Sequence, residues 1–156
     1  MEAHFATWPD LIARHRQSGV SALERLVALS FTVARAFRDD VVVRAGSRLW
    51  MERKAIDAPL PTPFVGWIDA VTALLEEARA DGSLRADVCA RSAAHGIVCA
   101  FFGLHTVSDA LDRREHIEER LHDLWLLLLT GLRLDSDPSA LLDRVRNQPP
   151  LRATPP

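Results

Sequence analysis

The sequence predicts an all-α fold, a helical bundle that forms one domain. Apolar residues recur at spacings of three and four along most of the chain, and helix-start and helix-stop signals bound these segments. The chain has no internal repeat and no β-hairpin signal. With 156 residues, of which 48% are hydrophobic and 26% charged, it is long enough to bury a core without disulfides or metals.

The first two helices are predicted from their N-terminal capping residues. Thr7 to Asp10 reads as a helix start, with a capping threonine and a first-turn proline, and this helix runs to about Gln17. Ser18-Gly19 ends it. Ser21 and Glu24 then form a capping box before an amphipathic helix, whose apolar stripe contains Leu23, Leu26, Val27, Ser30, Phe31, Ala34 and Phe37.

Two further helices are separated by a proline-rich loop. A helix is predicted over Val41 to Met51, although three consecutive valines leave a strand open as an alternative. The loop runs from Ile56 to Pro63. Thr62-Pro63 begins the next helix, which reaches about Ala80 and carries the core stripe Phe64, Trp67, Ile68, Val71, Leu74 and Leu75.

The following helix is rich in small residues. Asp81-Gly82-Ser83 ends the preceding helix, and Asp87 is predicted to cap a helix from Val88 to about Leu111. A glycine within a solvated helix costs about 1 kcal/mol relative to alanine. The composition therefore predicts close packing by a second helix against Ala90, Ala93, Ala94, Gly96, Ala100 and Gly103.

The helix from about His116 to Leu132 predicts a homodimer. Its segment Leu124 to Leu129 is apolar on every face and needs cover on all sides, which a short chain supplies most simply with a second copy. A last short helix is capped by Ser136-Asp137-Pro138 and ends near Arg146. The predicted dimer interface contains Gly96, Ala100, Gly103, Leu121, Trp125 and Leu128.

Charge and cysteine content indicate a cytoplasmic protein. A net charge of −2 gives no overall attraction to the phosphate backbone of nucleic acid. Cys89 and Cys99 are ten residues apart on one predicted helix, too far to bridge, and are predicted to be reduced core thiols. There is no secretory signal, and the longest strongly apolar run, Leu124 to Leu129, is too short to span a membrane.

No catalytic or cofactor-binding constellation is visible in the sequence. The six histidines form no HExxH pattern, and the helical pair Glu118 and His122 reads as a surface pair. Gly46-Ser47 lacks the second glycine of a nucleophile elbow, and no phosphate-binding glycine loop is present. The sequence predicts a protein that is not an enzyme and that has no metal and no cofactor.

Aromatic residues leave two interpretations open. Trp50, Phe64, Trp67, Phe101 and Phe102 lie on three predicted helices that would face one another in a bundle, where small apolar ligands bind. Plain core packing explains the same pattern. Trp67 favours a ligand, because a buried indole N–H needs a partner and a ligand carbonyl would supply one.

Several segments resemble the γ-butyrolactone receptors of the TetR family of repressors. Asp40 to Leu49 is similar to the run DPVVRAGxRL of those receptors, and Ala3 to Thr7 resembles the end of a TetR helix-turn-helix domain. Further matches follow in the family's order at Pro61-Thr62-Pro63-Phe64 with Trp67, Leu74 to Ala78, Gly82 to Arg85, Glu118 to Arg120, and Asp123-Leu124-Trp125.

The resemblance implies a homodimeric TetR-like regulatory domain that senses a γ-butyrolactone or butenolide. In Streptomyces and its relatives, such ligands release the repressor from promoters of antibiotic and differentiation genes. Trp67 matches the family's pocket tryptophan, and Gln17 matches a glutamine on the first regulatory helix. We expect residues 1–6 to be a remnant of the helix-turn-helix domain, 7–147 to be the ligand-binding and dimerisation domain, and 148–156 to be a disordered tail.

The chain also departs from the family pattern. The helix-turn-helix that would precede His4 is absent, so the chain is expected to lack a complete DNA-binding domain. Phe102 replaces a small or hydroxylated residue and fills space in the expected pocket. The alternative function is therefore a ligand-free helical dimer that acts as a heterodimerising antagonist of a full-length repressor.

Overall fold

The computed structural model describes residues 19–51, 63–132 and 138–147, and within these ranges all regular structure is helical. This confirms the predicted fold class. The predicted helix from Thr7 to Gln17, the remnant at 1–6 and the tail at 148–156 lie outside the described residues. The helices in these ranges are α1 (Ala22–Asp39), α2 (Val41–Met51), α3 (Pro63–Ala80), α4 (Ala90–Asp112), α5 (Ile117–Leu132) and α6 (Pro138–Arg146).

Helix α1 is the central element, in contact with α2, α3, α5 and α6. It begins with the predicted capping box. The Glu24 N–H donates to Ser21 Oγ at 3.2 Å, and the Ser21 N–H donates to Glu24 Oε2 at 3.2 Å. Leu23 and Val27 are fully buried, which places α1 in the core and lets it form one wall of any interior cavity.

The segment with three consecutive valines is a helix, not a strand. The carboxylate of Asp40 accepts hydrogen bonds from the N–H groups of Val42 and Val43 at 2.8 and 3.2 Å. Those bonds satisfy two amides that a helix start leaves unpaired. The local cap therefore outweighs the β propensity of the valines, and Val41 and Val42 remain exposed.

The end of α3 is joined to the start of α1. Gly82 adopts a φ of 78°, which ends the helix as predicted from Asp81-Gly82-Ser83. The carboxylate of Asp81 accepts from the N–H of Ser83 at 2.9 Å and from that of Ala22 at 2.7 Å. One side chain thus satisfies a turn and a distant helix N-terminus, and it aligns α1 with α3.

Two predictions about the start of α4 were wrong. The helix begins at Ala90, and its N-cap residue is Cys89, which makes no side-chain capping bond. Asp87 does not cap the helix because its carboxylate pairs with Arg85 at 2.8 and 3.0 Å.

The prediction of core thiols was also wrong. The cysteines are free, but both Cys89 and Cys99 are exposed.

Helices α4 and α5 carry apolar side chains that the rest of the described structure leaves exposed. Leu129 is fully buried on α5, whereas Leu127 on the opposite face is 75% exposed. Val107 and Leu111 of α4 are also exposed. Among the described helices, α4 is long and apolar enough to cross a membrane, a criterion that core helices also meet. The described residues therefore do not supply the all-round cover expected for Leu124 to Leu129.

Candidate functional site

An apolar cavity of about 60 Å³ lies between α1, α3, α4 and α5. No charged side chain lines it. Its walls are formed mostly by aliphatic and aromatic groups, which is the composition expected of a site for a small apolar ligand. The lining residues are Leu26, Leu29, Ser30, Val33, Trp67, Ala70, Val71, Ile97, Val98, Phe101, Leu121, Leu124, Trp125 and Leu128.

The polar atoms on one side of the cavity satisfy each other. Trp125 donates its indole N–H to Ser30 Oγ at 2.7 Å, and the Ser30 hydroxyl donates to the carbonyl of Val27 at 2.7 Å. Trp125 is only 1% exposed. Because these groups bond to one another, α5 and α1 present a hydrocarbon surface to the cavity.

An aromatic cluster stands at the α3 side of the cavity. Phe64 contacts Trp67 edge to face, with ring centroids 5.6 Å apart, and contacts Phe102 in the same way at 5.0 Å. Of these three residues, only Trp67 lines the cavity. Edge-to-face aromatic pairs add roughly 0.5–1.5 kcal/mol beyond area burial. This cluster therefore holds Trp67 in place.

The structure brings together part of the predicted ligand-binding set. Trp67 and Phe101 line the cavity, Phe64 contacts Trp67, and Phe102 contacts Phe64. Gln17 and the side chain of Trp50 lie outside the described residues. The sequence did not predict that α1 contributes residues to the cavity lining. The only sequence feature that could have indicated it is the polar Ser30 within an apolar stripe.

The predicted dimer interface requires correction. Leu121 and Trp125 are 0% and 1% exposed within one chain, so their side chains are not available to a partner. They and Leu128 line the cavity. Helix α5 turns these side chains towards α1, a direction that a helix apolar on all faces could not reveal.

The other three interface residues lie on the uncovered side of α4. Gly96 and Gly103 are exposed and Ala100 is half-buried. A Cβ atom built at either glycine meets nothing within 4 Å. Neither glycine is therefore explained by close packing inside the chain, and the same face continues along α4 as Ser92, Cys99 and Ala110.

A buried polar cluster lies beyond the cavity, where α4 meets α5. Arg114 is 1% exposed, and its Nε donates to His105 Nδ1 at 2.9 Å. Its Nη1 donates to the Phe37 carbonyl at 3.2 Å, and Asp109 pairs with Nη2 at 3.2 Å. Burial and the Arg114 charge lower the pKa of His105 to about 4, so the imidazole is neutral near pH 7.

Comparison with known proteins identifies the family to which this domain belongs. Residues 20–133 match the family model described as tetracyclin repressor-like, C-terminal domain. The chain belongs to this family, the regulatory domains of TetR-type transcriptional regulators. Regulators of this class act as dimers that bind DNA and small ligands.

A sequence relative indicates which group of TetR-type regulators this chain resembles. The chain is 30% identical over 112 residues to the A-factor receptor protein of Streptomyces griseus, a match that covers 72% of this chain and 40% of that relative. The protein is thus a TetR-family regulator related to the γ-butyrolactone receptors. The chain spans less than half of the A-factor receptor, whose further activities are not transferred by this match.

Two solved structures share the fold. One, from work on the control of antibiotic production by bacterial hormones, has a TM-score of 0.80 and 43% identity, and the match covers 85% of this chain and 70% of that one. A γ-butyrolactone receptor described as ArpA-like has a TM-score of 0.69 and 27% identity, over 93% of this chain and 68% of that one.

Proposed function

We propose that this domain senses a small apolar ligand of the γ-butyrolactone or butenolide class and homodimerises, as the regulatory part of a cytoplasmic TetR-type regulator. The observation that carries the proposal is the apolar cavity between four helices with Trp67 in its wall. The relatives named above supply the ligand class. DNA binding belongs to the complete regulators and is not assigned to these helices.

The cavity supports ligand sensing through its chemistry and its position. Apolar cavities stay dry when empty, so a hydrocarbon group enters without having to displace bound water. Ligand pockets for drug-sized molecules measure about 300–1,000 Å³, far more than the present cavity. Ligand binding must therefore widen the cavity.

Dimerisation is supported by the uncovered face of α4 and α5. Leu111 is 66% exposed and Leu127 is 75% exposed. Exposed apolar side chains that form a patch often mark a protein–protein interface. Gly96 and Gly103 would let the backbone of a second α4 approach closely. A two-fold contact across this face would bury both leucines.

Thermal unfolding with a panel of γ-butyrolactones and butenolides tests ligand sensing. A ligand at one hundred times its Kd adds about 2.7 kcal/mol of stability, which raises the Tm measurably. Ala70→Leu inserts a larger side chain into the cavity wall and should abolish the rise. Ala73→Leu, on the exposed face of the same helix, is the matched control and should preserve it.

A second candidate function is a ligand-free helical dimer that antagonises a full-length repressor by forming heterodimers. It is favoured by the small cavity and by Phe102, whose ring packs against Phe64 at 5.0 Å and occupies space. If this second function is correct, no γ-butyrolactone or butenolide of the panel should raise the Tm. It also requires that the purified domain, when mixed with a full-length relative, reduces operator binding by that relative.

A further inference from the structure

The cavity wall on α4 continues into two buried polar residues. Phe101 lines the cavity, and His105 and Ser108 follow it on the same face of the helix at spacings of four and three residues. His105 and Ser108 do not themselves line the cavity, and the imidazole lies against the rings of Phe37 and Phe102, with centroids 3.9 and 5.9 Å away. The apolar wall therefore has a polar end.

His105 presents a hydrogen-bond donor without an acceptor. The residue is fully buried, and Nδ1 accepts from Arg114, so the neutral ring carries its proton on Nε2. Nε2 is buried and has no hydrogen-bond partner. The Phe102 ring, tilted by 57° with its centroid 5.9 Å away, offers at most a weak π contact.

Ser108 gives a second, independent observation. Its hydroxyl is buried and has no hydrogen-bond partner. Three helical threonines in the described residues bond to a carbonyl of the preceding turn: Thr72 at 2.6 Å, Thr106 at 2.9 Å and Thr130 at 2.8 Å. Buried polar groups almost always have partners, so two orphans one turn apart indicate a site for a polar group.

We propose that His105 and Ser108 form the polar end of the ligand site, and that His105 Nε2 donates a hydrogen bond to an acceptor oxygen of the ligand head group. The hydrocarbon part of the ligand then lies against Ile97, Val98 and Phe101. Ser108 bonds to the same oxygen or to a neighbouring one. This inference rests on the proposed function and assigns the recognition of a carbonyl to these residues.

A pair of probes that differ in one carbonyl tests the assignment. The first is a 2-acyl-γ-butyrolactone and the second is the 2-alkyl lactone of equal chain length, both titrated calorimetrically into the intact protein. An unsatisfied buried donor costs about 1–3 kcal/mol, so the wild type should bind the acyl probe about tenfold or more tightly. Ser108→Ala should reduce that ratio and His105→Phe should abolish it. The control Thr106→Ala removes a hydroxyl of the same helix that is already bonded to the Phe102 carbonyl, and it should leave the ratio unchanged.

Nuclear magnetic resonance of ¹⁵N-labelled histidine provides a readout that does not require a variant to fold. The Nε2–H resonance of His105 should shift when the acyl probe is added and should stay in place with the alkyl probe. Equal binding of both probes by the wild type, or a ratio that survives in the variants, would overturn the assignment and leave ligand sensing intact. Failure to bind either probe, or any panel member, would remove the proposed function as well.

Discussion

Trp125 of α5 donates its indole N–H to the hydroxyl of Ser30 on α1 over 2.7 Å, across 95 positions of sequence. The bond joins two walls of the cavity and removes the indole donor from the cavity surface. It also fixes the rotation of α5, so that Leu121 faces inward and Leu127 faces outward. One polar pair thus separates the cavity-facing side of α5 from its exposed side.

Removing the Ser30 hydroxyl should lower stability. Ser30→Ala leaves the buried indole N–H of Trp125 without an acceptor, which costs about 1–3 kcal/mol. The free energy of unfolding measured with urea should fall by that amount. Thr130→Ala, which removes an exposed hydroxyl bonded within its own helix, should change it by less than about 0.5 kcal/mol. Equal effects of the two substitutions would contradict the importance of the Trp125 bond.

Stability should depend on pH through His105. The pKa of His105 is lowered to about 4 in the folded protein. The pKa of an unfolded histidine is about 6.5, so between these two pKa values the unfolded state binds more protons than the folded state. The stabilisation from His105 is fully present above the unfolded pKa and is lost as the pH falls towards the folded pKa of about 4. We expect the free energy of unfolding to decrease by roughly 3 kcal/mol over this window.

The variant His105→Phe isolates this contribution. It is expected to be less stable near neutral pH, because Arg114 loses an acceptor, but to show a flatter pH dependence between 4 and 6.5. His116, whose pKa is raised by its bond to Asp112, contributes with the opposite sign and is present in both proteins. Parallel pH profiles for the two proteins would exclude His105 as the source.

A charge at Gly103 should separate the dimer without unfolding the chain. The glycine is exposed, and a Cβ there meets nothing within 4 Å, so Gly103→Glu is compatible with the folded monomer. Replacing a helical glycine also improves helix propensity. Light scattering should show a halved mass with unchanged helical circular dichroism.

The matched control is Gly66→Glu, at an exposed glycine on α3 with equally open surroundings. It should leave the mass unchanged. A wild type that is monomeric at micromolar concentration, or a Gly103→Glu protein that remains dimeric, would refute the proposed interface on α4.

The turn between α4 and α5 offers a site for stabilisation. Arg113 is exposed and adopts a φ of 56°, a left-handed conformation that disfavours residues with a Cβ by about 1–2 kcal/mol. Arg113→Gly should raise the free energy of unfolding by up to about 1 kcal/mol, after the added entropy of the unfolded glycine is subtracted. Arg113→Ala keeps the Cβ and should give no gain. Loss of stability in the glycine variant would indicate that the Arg113 side chain is needed.

Local signals made most of the helices predictable. The Ser21 and Glu24 capping box and the Gly82 stop act within a few residues, and both appear in the structure as expected. The prediction that Asp87 caps α4 failed because Arg85 competes for the same carboxylate. Which of several adjacent partners a side chain selects depends on backbone geometry that residue spacing does not specify.

The site was less predictable than the fold. Trp67 and Phe101 were both identified from an aromatic pattern, Trp67 also from the family resemblance, and both line the cavity. Trp125 was assigned to the wrong surface because its helix is apolar on every side. Its orientation follows from Ser30, a contact between distant parts of the chain. The polar end at His105 depends on the buried Arg114, another relationship that sequence spacing alone does not reveal.

Titration of tryptophan fluorescence with γ-butyrolactones tests the central claim most directly, because Trp67 and Trp125 both line the cavity. The wild type should show saturable quenching by at least one lactone. Trp67→Phe should reduce its amplitude, and the control Ala73→Leu, on the exposed face of the same helix, should respond like the wild type. The absence of any saturable change in the wild type, across the whole panel, would contradict a ligand-sensing cavity at this position.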